Sequence, residues 1–213
     1  MRLRDELIAT ARRMSDLGLT PGLSGNASVR TPQGFLVTPS GIPYAELAPS
    51  DPVEVKLDGS MRGGQRAPST EWQLHRDVYL ARPDATAIVH THSLYCTAIS
   101  CLRRPIPPIH YMIALSGADE IPCADYATFG TPALAAAVVR ALAGSRACLM
   151  ANHGMLAIGD GLPSALRLAS ETETLASQFF HATLLGSPHV LTAAELHQVR
   201  DRFAGYGQPK KSR

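Results

Sequence analysis

A chain of 213 residues, 45% hydrophobic and 18% charged, has the length and composition of an ordinary globular protein with one sizeable core. Its 20 Lys and Arg against 18 Asp and Glu leave a net charge of +2, too balanced for a nucleic-acid or membrane surface. Any anionic ligand must therefore be small and held locally.

Leu3, Leu7, Ala11 and Met14 recur at helical spacing, so residues 2–17 are predicted to be an amphipathic helix capped by Gly18. The arginines at 2, 4, 12 and 13 precede no continuous apolar run, so no secretory signal is expected. A glycine-rich loop, Pro21 to Asn26, leads to predicted strands at 27–30 and 35–38 with a turn at Pro32-Gln33-Gly34. Val53, Val55 and Leu57 alternate up to Asp58-Gly59, which gives a third strand over 52–57. Pro68-Ser69-Thr70 is predicted to open a helix to Ala81, with Ser69 or Thr70 as N-cap. A strand at 86–90 and a short helix at 94–100 follow.

Thr131-Pro132 starts an alanine-rich helix to Ala143, with Pro132 at its first position and Gly144 just past its end. Strands at 147–150 and 155–158 flank Asn152-His153-Gly154, and helices are expected at 163–185 and 192–203. Tight strand-to-strand turns mixed with helices predict a three-layer α/β/α sandwich on a mostly antiparallel sheet. One domain over 1–213 is expected, with 203–213 a mobile tail that ends in the basic Lys210-Lys211-Ser212-Arg213. No G-x-G-x-x-G follows a strand and no phosphate-binding G-x-x-x-x-G-K-[ST] is present, so those routes to nucleotide binding are unsupported. No apolar run has the roughly 18 residues of a membrane span. Cys96, Cys101, Cys123 and Cys148 show no Cys-x-x-Cys spacing and are expected to be reduced in the cytoplasm.

The chemistry begins at His90-Thr91-His92. Side chains two apart on a strand leave the same face, so two imidazoles stand side by side at the strand's end, a chelating pair for a divalent metal such as zinc. His153, in a turn before Gly154, supplies a third imidazole and leaves a position open, as catalytic zinc sites do. Glu71 lies in the first turn of its helix. Spacing alone reads it equally as a carboxylate favoured by the helix dipole and as a fourth ligand or general base. His75, four residues on, reads as its helix-face partner, with a supporting role behind the metal ligands as the alternative. Gly25-Asn26, Ser40-Gly41 and Ser69-Thr70 each read singly as turns or caps; together they can present N–H groups and hydroxyls to one phosphate. Tyr111, among apolar neighbours, reads as a core tyrosine.

These blocks stand in one order over nearly the whole chain: Ser24-Gly25-Asn26, Val37 to Tyr44, Pro68 to Trp72, Val89 to His92, Ile109 to Ala114, Ile121-Pro122-Cys123, Tyr126 to Gly130 and Asn152-His153-Gly154. In this the chain resembles the class II aldolase/adducin family. The resemblance implies metal ligands at His90, His92, His153 and Glu71, with Zn2+ as cofactor and Mn2+ or Co2+ as substitutes. It further implies phosphate binding by Gly25, Asn26, Ser40, Gly41, Ser69 and Thr70. Glu71 and Tyr111 become catalytic, Tyr111 as an acid reaching a neighbouring subunit's metal site. Phe129, Phe203 and Tyr206 would shape an aldehyde pocket, and the assembly would be a homotetramer with sites at subunit interfaces.

The implied reaction is reversible cleavage of a ketose 1-phosphate, such as L-fuculose 1-phosphate, to dihydroxyacetone phosphate and a short aldehyde. Only Lys56, Lys210 and Lys211 exist for a Schiff base, none in an apolar stretch, so a metal is the expected electron sink. Alternatives are 5-deoxyribulose or methylthioribulose 1-phosphate as substrate, a pentulose-phosphate 4-epimerase, a methylthioribulose-phosphate dehydratase, and a non-catalytic adducin-like scaffold. Epimerising relatives carry Asp where Glu71 stands, and scaffolds lack the metal histidines, so both are disfavoured.

Overall fold

The computed structural model describes residues 3–204. Helix α1 (Leu3–Asp16) leads into the hairpin of β1 (Asn26–Thr31) and β2 (Gly34–Val37), followed by β3 (Val53–Lys56), α2 (Trp72–Ala81), β4 (Ala87–Thr91) and α3 (Leu94–Ser100). After a 3₁₀ turn at Tyr111–Ser116 come β5 (Cys123–Ala124), α4 (Pro132–Ala141), β6 (Ala147–Met150), β7 (Gly154–Gly159), α5 (Leu162–Leu185) and α6 (Ala193–Ala204). The strands form one sheet in the order β3-β2-β1-β4-β7-β6-β5. Every neighbouring pair is antiparallel except β5 with β6.

The period-two alternation of each strand sorts its side chains onto two cores. Ala87 and Val89, Leu149, Met155 and Ala157 face α1, α3 and α5. Ile88, Cys148, Met150, Leu156 and Ile158 face α2 and α4. Helices on both faces of a mostly antiparallel sheet make the three-layer α/β/α sandwich that the pattern predicts. Leu7, Met14, Val89, Leu149 and Val138 are among the side chains fully or almost fully removed from water, each worth about 1.5–3 kcal/mol when large and fully buried. Among the described residues, no helix is long and apolar enough to cross a membrane.

Three local expectations are corrected. Helix α2 begins at Trp72 with Glu71 at its cap position, so neither Ser69 nor Thr70 is the N-cap. The Ser69 N–H donates to Thr38 O at 3.0 Å, which holds Ser69 extended against the end of β2 and delays the helix. Helix α4 does begin with Thr131 as cap and Pro132 in its first turn, but its C-cap is Leu142 and Gly144 is not left-handed. The three-residue bond from Ala143 N–H to Arg140 O tightens its last turn instead. Phe203, expected in a tail, lies in the last turn of α6. Tyr206 lies outside the described residues.

Glu173, midway along α5, is a half-buried brace that charge patterning did not single out. Its carboxylate accepts from Ser93 Oγ (2.7 Å), Tyr95 N–H (2.8 Å) and Cys96 N–H (2.9 Å), so it caps α3 immediately after His92. Glu173→Ala leaves two backbone donors without a partner. We expect a loss of about 3 kcal/mol in unfolding free energy, read from urea denaturation. A variant as stable as the parent would show that water replaces the carboxylate there.

Candidate metal centre

Two glycines let the backbone bring the histidines together. At Gly154 an added Cβ would lie 2.3 Å from Thr91 O and 3.1 Å from His92 Cδ2, so only glycine lets the turn after His153 pack onto β4. Gly25 has φ of 81°, and a Cβ there would meet His90 O at 2.8 Å. In the sheet register Asn26 pairs with His90, and His90 with Leu156, so β1, β4 and β7 converge on one point.

The rings of His90, His92 and His153 stand edge-on, with centroids 4.8–5.0 Å apart. With Glu71 they offer four ligand atoms that all lie within 4.8 Å of one another. His90 Nε2 is 3.1 Å from His92 Nε2 and 3.1 Å from Glu71 Oε2, while His153 Nε2 is 3.4 Å from Glu71 Oε1. His90 Nδ1 donates to Met155 O at 2.8 Å, which leaves Nε2 of a neutral ring as a lone pair aimed at the centre. Glu71 Oε1 is buried without a hydrogen-bond partner. Converging lone pairs and an orphaned, buried carboxylate oxygen are costly alone and fit a divalent cation.

The electrostatics of Glu71, His92 and His153 agree with this arrangement. Burial raises the Glu71 carboxyl, but the charge and hydrogen bond of His90, the charge of His153 and the Asn26 amide outweigh it, and the group stays ionised. Burial, then the charges of His90 and His153, lower His92 to about 4; burial and His90 lower His153 to about 4. His90 is raised despite burial, because the Glu71 carboxylate stands beside it. Neutral His92 and His153 are the protonation states that bind metal.

The centre lies in a pocket of about 480 Å³, lined by Leu23, Ser24, Gly25, Asn26, Thr70, Glu71, His92, Tyr126, Ala127, Phe129, Asn152 and His153. The structure thus brings Gly25, Asn26, Thr70 and Phe129 to the metal candidates. Ser69 is buried beneath, its Oγ accepting from Glu71 N–H at 3.3 Å. Ser40 and Gly41 are exposed and outside the pocket wall; Ser40 N–H donates to Ala67 O, which ties their loop beside Ser69. Both ends of the Asn26 side chain are engaged: Nδ2 donates to Glu71 Oε2 at 3.1 Å and Oδ1 accepts from His75 Nε2. Asn26 therefore holds Glu71, a role its sequence context did not indicate.

Tyr111 is not a core residue: it is 48% exposed, packs on His110 and Phe203, and does not line this pocket. His75 shares the Glu71 face of α2, as its spacing suggested, but bonds to Ser28 and Asn26 rather than to Glu71; it is fully buried, and burial lowers it to about 3. Tyr126 and Asn152 line the pocket without having been singled out from the sequence. Asn152 is a left-handed residue (φ 54°) held by Arg103 Nε, and Arg103 lies over the Tyr126 ring. All four cysteines are free thiols, and burial raises Cys123 to about 11, so it is no nucleophile at neutral pH.

Residues 5–180 match the model of the class II aldolase and adducin N-terminal domain. The chain belongs to the class II aldolase/adducin family. It is 45% identical over 205 residues to the 5-methylthioribulose-1-phosphate/5-deoxyribulose-1-phosphate aldolase of Rhodospirillum rubrum, covering 96% of this chain and 92% of that one. It is 44% identical over 207 residues to the L-fuculose phosphate aldolase of Escherichia coli, covering 97% and 96%. A solved L-fuculose 1-phosphate aldolase superimposes with a TM-score of 0.91 at 39% identity, over 95% of this chain and 96% of that one.

Proposed function

We propose that this chain is a metal-dependent aldolase that reversibly cleaves a ketose 1-phosphate to dihydroxyacetone phosphate and a short aldehyde. The observation that carries the reading is the convergence of three imidazoles on a carboxylate whose second oxygen has no hydrogen-bond partner. A divalent cation held by His90, His92, His153 and Glu71, zinc by preference, would supply a Lewis acid that offsets the negative charge left when the C3–C4 bond breaks.

The chain's own residues supply the rest. Glu71 is ionised and within reach of the same centre, so it can move the proton at the nucleophilic carbon of dihydroxyacetone phosphate. Thr70 and Gly25 line the pocket for the phosphate, with Ser69 buried beneath them and Ser40 and Gly41 on the adjoining loop. Among the described residues no lysine stands near the centre for a Schiff base: Lys56 is exposed on β3, at the sheet edge, with β2 and β1 between it and His90 on β4. Tyr111 is assigned as the acid for the aldehyde oxygen, acting on the site of a neighbouring copy. Its exposure and its absence from its own chain's pocket are compatible with that assignment; the homotetramer is carried over from the family resemblance alone. Phe129 is assigned to the aldehyde end, and Phe203 and Tyr206 retain that assignment from the family resemblance.

The outer wall favours some aldehydes over others. Leu23, Tyr126, Ala127 and Phe129 give it an apolar character suited to a methyl or methylthio end more than to a polyhydroxylated chain. Both 5-deoxyribulose 1-phosphate and methylthioribulose 1-phosphate meet that requirement, as does L-fuculose 1-phosphate with its terminal methyl.

An assay coupled to dihydroxyacetone phosphate, run across these three ketose phosphates, tests the proposal. Release from at least one is expected. No release from any, with epimerisation of a pentulose phosphate or dehydration of methylthioribulose 1-phosphate instead, would overturn it.

A further inference from the structure

We propose that His75 is a positioning residue for the metal centre: through Asn26 it fixes which oxygen of Glu71 the protein holds and which it leaves for a cation. The inference rests on the metal-site reading above and concerns residues outside the ligand set.

Glu71, His75 and Tyr79 stand four residues apart on one stripe running from the cap of α2 along the helix. Asn26 and Ser28 stand two apart on one face of β1. The stripe and the face meet in a continuous buried chain of hydrogen bonds. Asn26 Nδ2 is 3.1 Å from Glu71 Oε2, His75 Nε2 is 2.5 Å from Asn26 Oδ1, Ser28 Oγ is 2.6 Å from His75 Nδ1, and Tyr79 Oη is 2.8 Å from Ser28 Oγ. Ser28 and His75 are fully buried and Tyr79 is 1% exposed, so bulk water offers these groups no alternative partner.

The chemistry of the end group orders every donor. An ionised carboxylate only accepts, so the Asn26 amide must turn its NH₂ to Glu71 and its oxygen to His75. A neutral His75 must then carry its proton on Nε2, and its Nδ1 must accept from the Ser28 hydroxyl. Ser28 oxygen in turn accepts from Tyr79. All four donors point the same way, and such one-directional chains reinforce each bond. The result is an asymmetric carboxylate. Oε2 is pinned by Asn26, whereas Oε1 is buried with no hydrogen-bond partner, 3.4 Å from His153 Nε2. A flipped amide would set an oxygen against the carboxylate, and Glu71 would swing from the histidines.

If the chain merely satisfied buried polar atoms, breaking it would lower stability and leave metal affinity in the folded protein unchanged. The test therefore reads tautomer and metal affinity, not activity. In the zinc-loaded protein, ¹⁵N chemical shifts of His75 should report a neutral ring protonated at Nε2; protonation at Nδ1 overturns the proposal. In chelator competition starting from metal-free protein, His75→Phe should weaken zinc binding by about 10–100-fold, the usual cost of losing a group that orients a ligand. His75→Gln, whose amide can donate from near the same place, should recover most of that loss.

A folded His75→Phe that binds zinc as tightly as the parent overturns the proposal. Should that variant fail to fold, Ser28→Ala, which removes one hydroxyl, decides the matter: several-fold weaker zinc supports it and unchanged affinity overturns it. Parent protein that takes up no zinc overturns the metal reading and this inference together. Tight parent binding with unchanged variants overturns this inference alone.

Discussion

Glu71→Gln is expected to keep its metal and to cleave a ketose 1-phosphate about 10²–10⁴-fold more slowly, the usual range for losing a general base. The three imidazoles stay, and glutamine has the same length, so the pocket is preserved. What disappears is an ionised group able to take a proton. Asn26 Nδ2 can still donate to the new amide oxygen, which turns the new NH₂ toward the histidines where Oε1 stood. The loss should fall on kcat with KM little changed, because the phosphate contacts are untouched. Near-normal turnover in a metal-replete Glu71→Gln sample would reduce Glu71 to a carboxylate at the start of a helix.

His92→Ala should abolish tight metal binding and lower cleavage by about 10³-fold or more, since a Lewis acid contributes several kcal/mol at each turnover. His92 is the ligand to remove because its loss does not threaten the fold. It is partly exposed at the end of β4, whereas His90 is fully buried and bonded to Met155 O. Thermal unfolding of the metal-free variant should therefore match that of the metal-free parent. Retained metal at one ion per chain, measured by elemental analysis, would take His92 off the ligand set.

The parts of the molecule written in local patterns were legible in the sequence. Alternation gave the strands and their two faces, and a two-residue spacing on a strand was enough to place His90 and His92 side by side. Thr131-Pro132 marked the start of α4 because cap and first turn are neighbours in the chain. What escaped depends on partners far away along it. Strand β5 has two residues and pairs parallel to β6, too short for any period. The start of α2 is set by a bond from Ser69 to Thr38, and α3 is capped by Glu173 from 80 residues away. His75 was read as a helix-face partner of Glu71, because helical spacing tells which side chains are adjacent but not what they bond to across the core. Only the packing of α2 against the sheet sets Asn26 and Ser28 opposite it. The resemblance assigned Asn26 to phosphate together with five other residues, and the hydrogen bond of its amide to Glu71 could not be read from local spacing. Tyr111 does not reach its own chain's pocket, so its assigned role requires a second copy.

The central claim is that cleavage depends on one metal ion per chain at the His90, His92, His153 and Glu71 centre. The direct measurement strips the protein with a chelator and adds zinc back in steps from zero to two equivalents. Metal content and dihydroxyacetone phosphate release are read on the same samples. Negligible cleavage in the stripped protein, a linear rise, and a plateau at one ion per chain are expected. Full cleavage in a verified metal-free sample, or no cleavage at any loading of any of the three ketose phosphates, would contradict it.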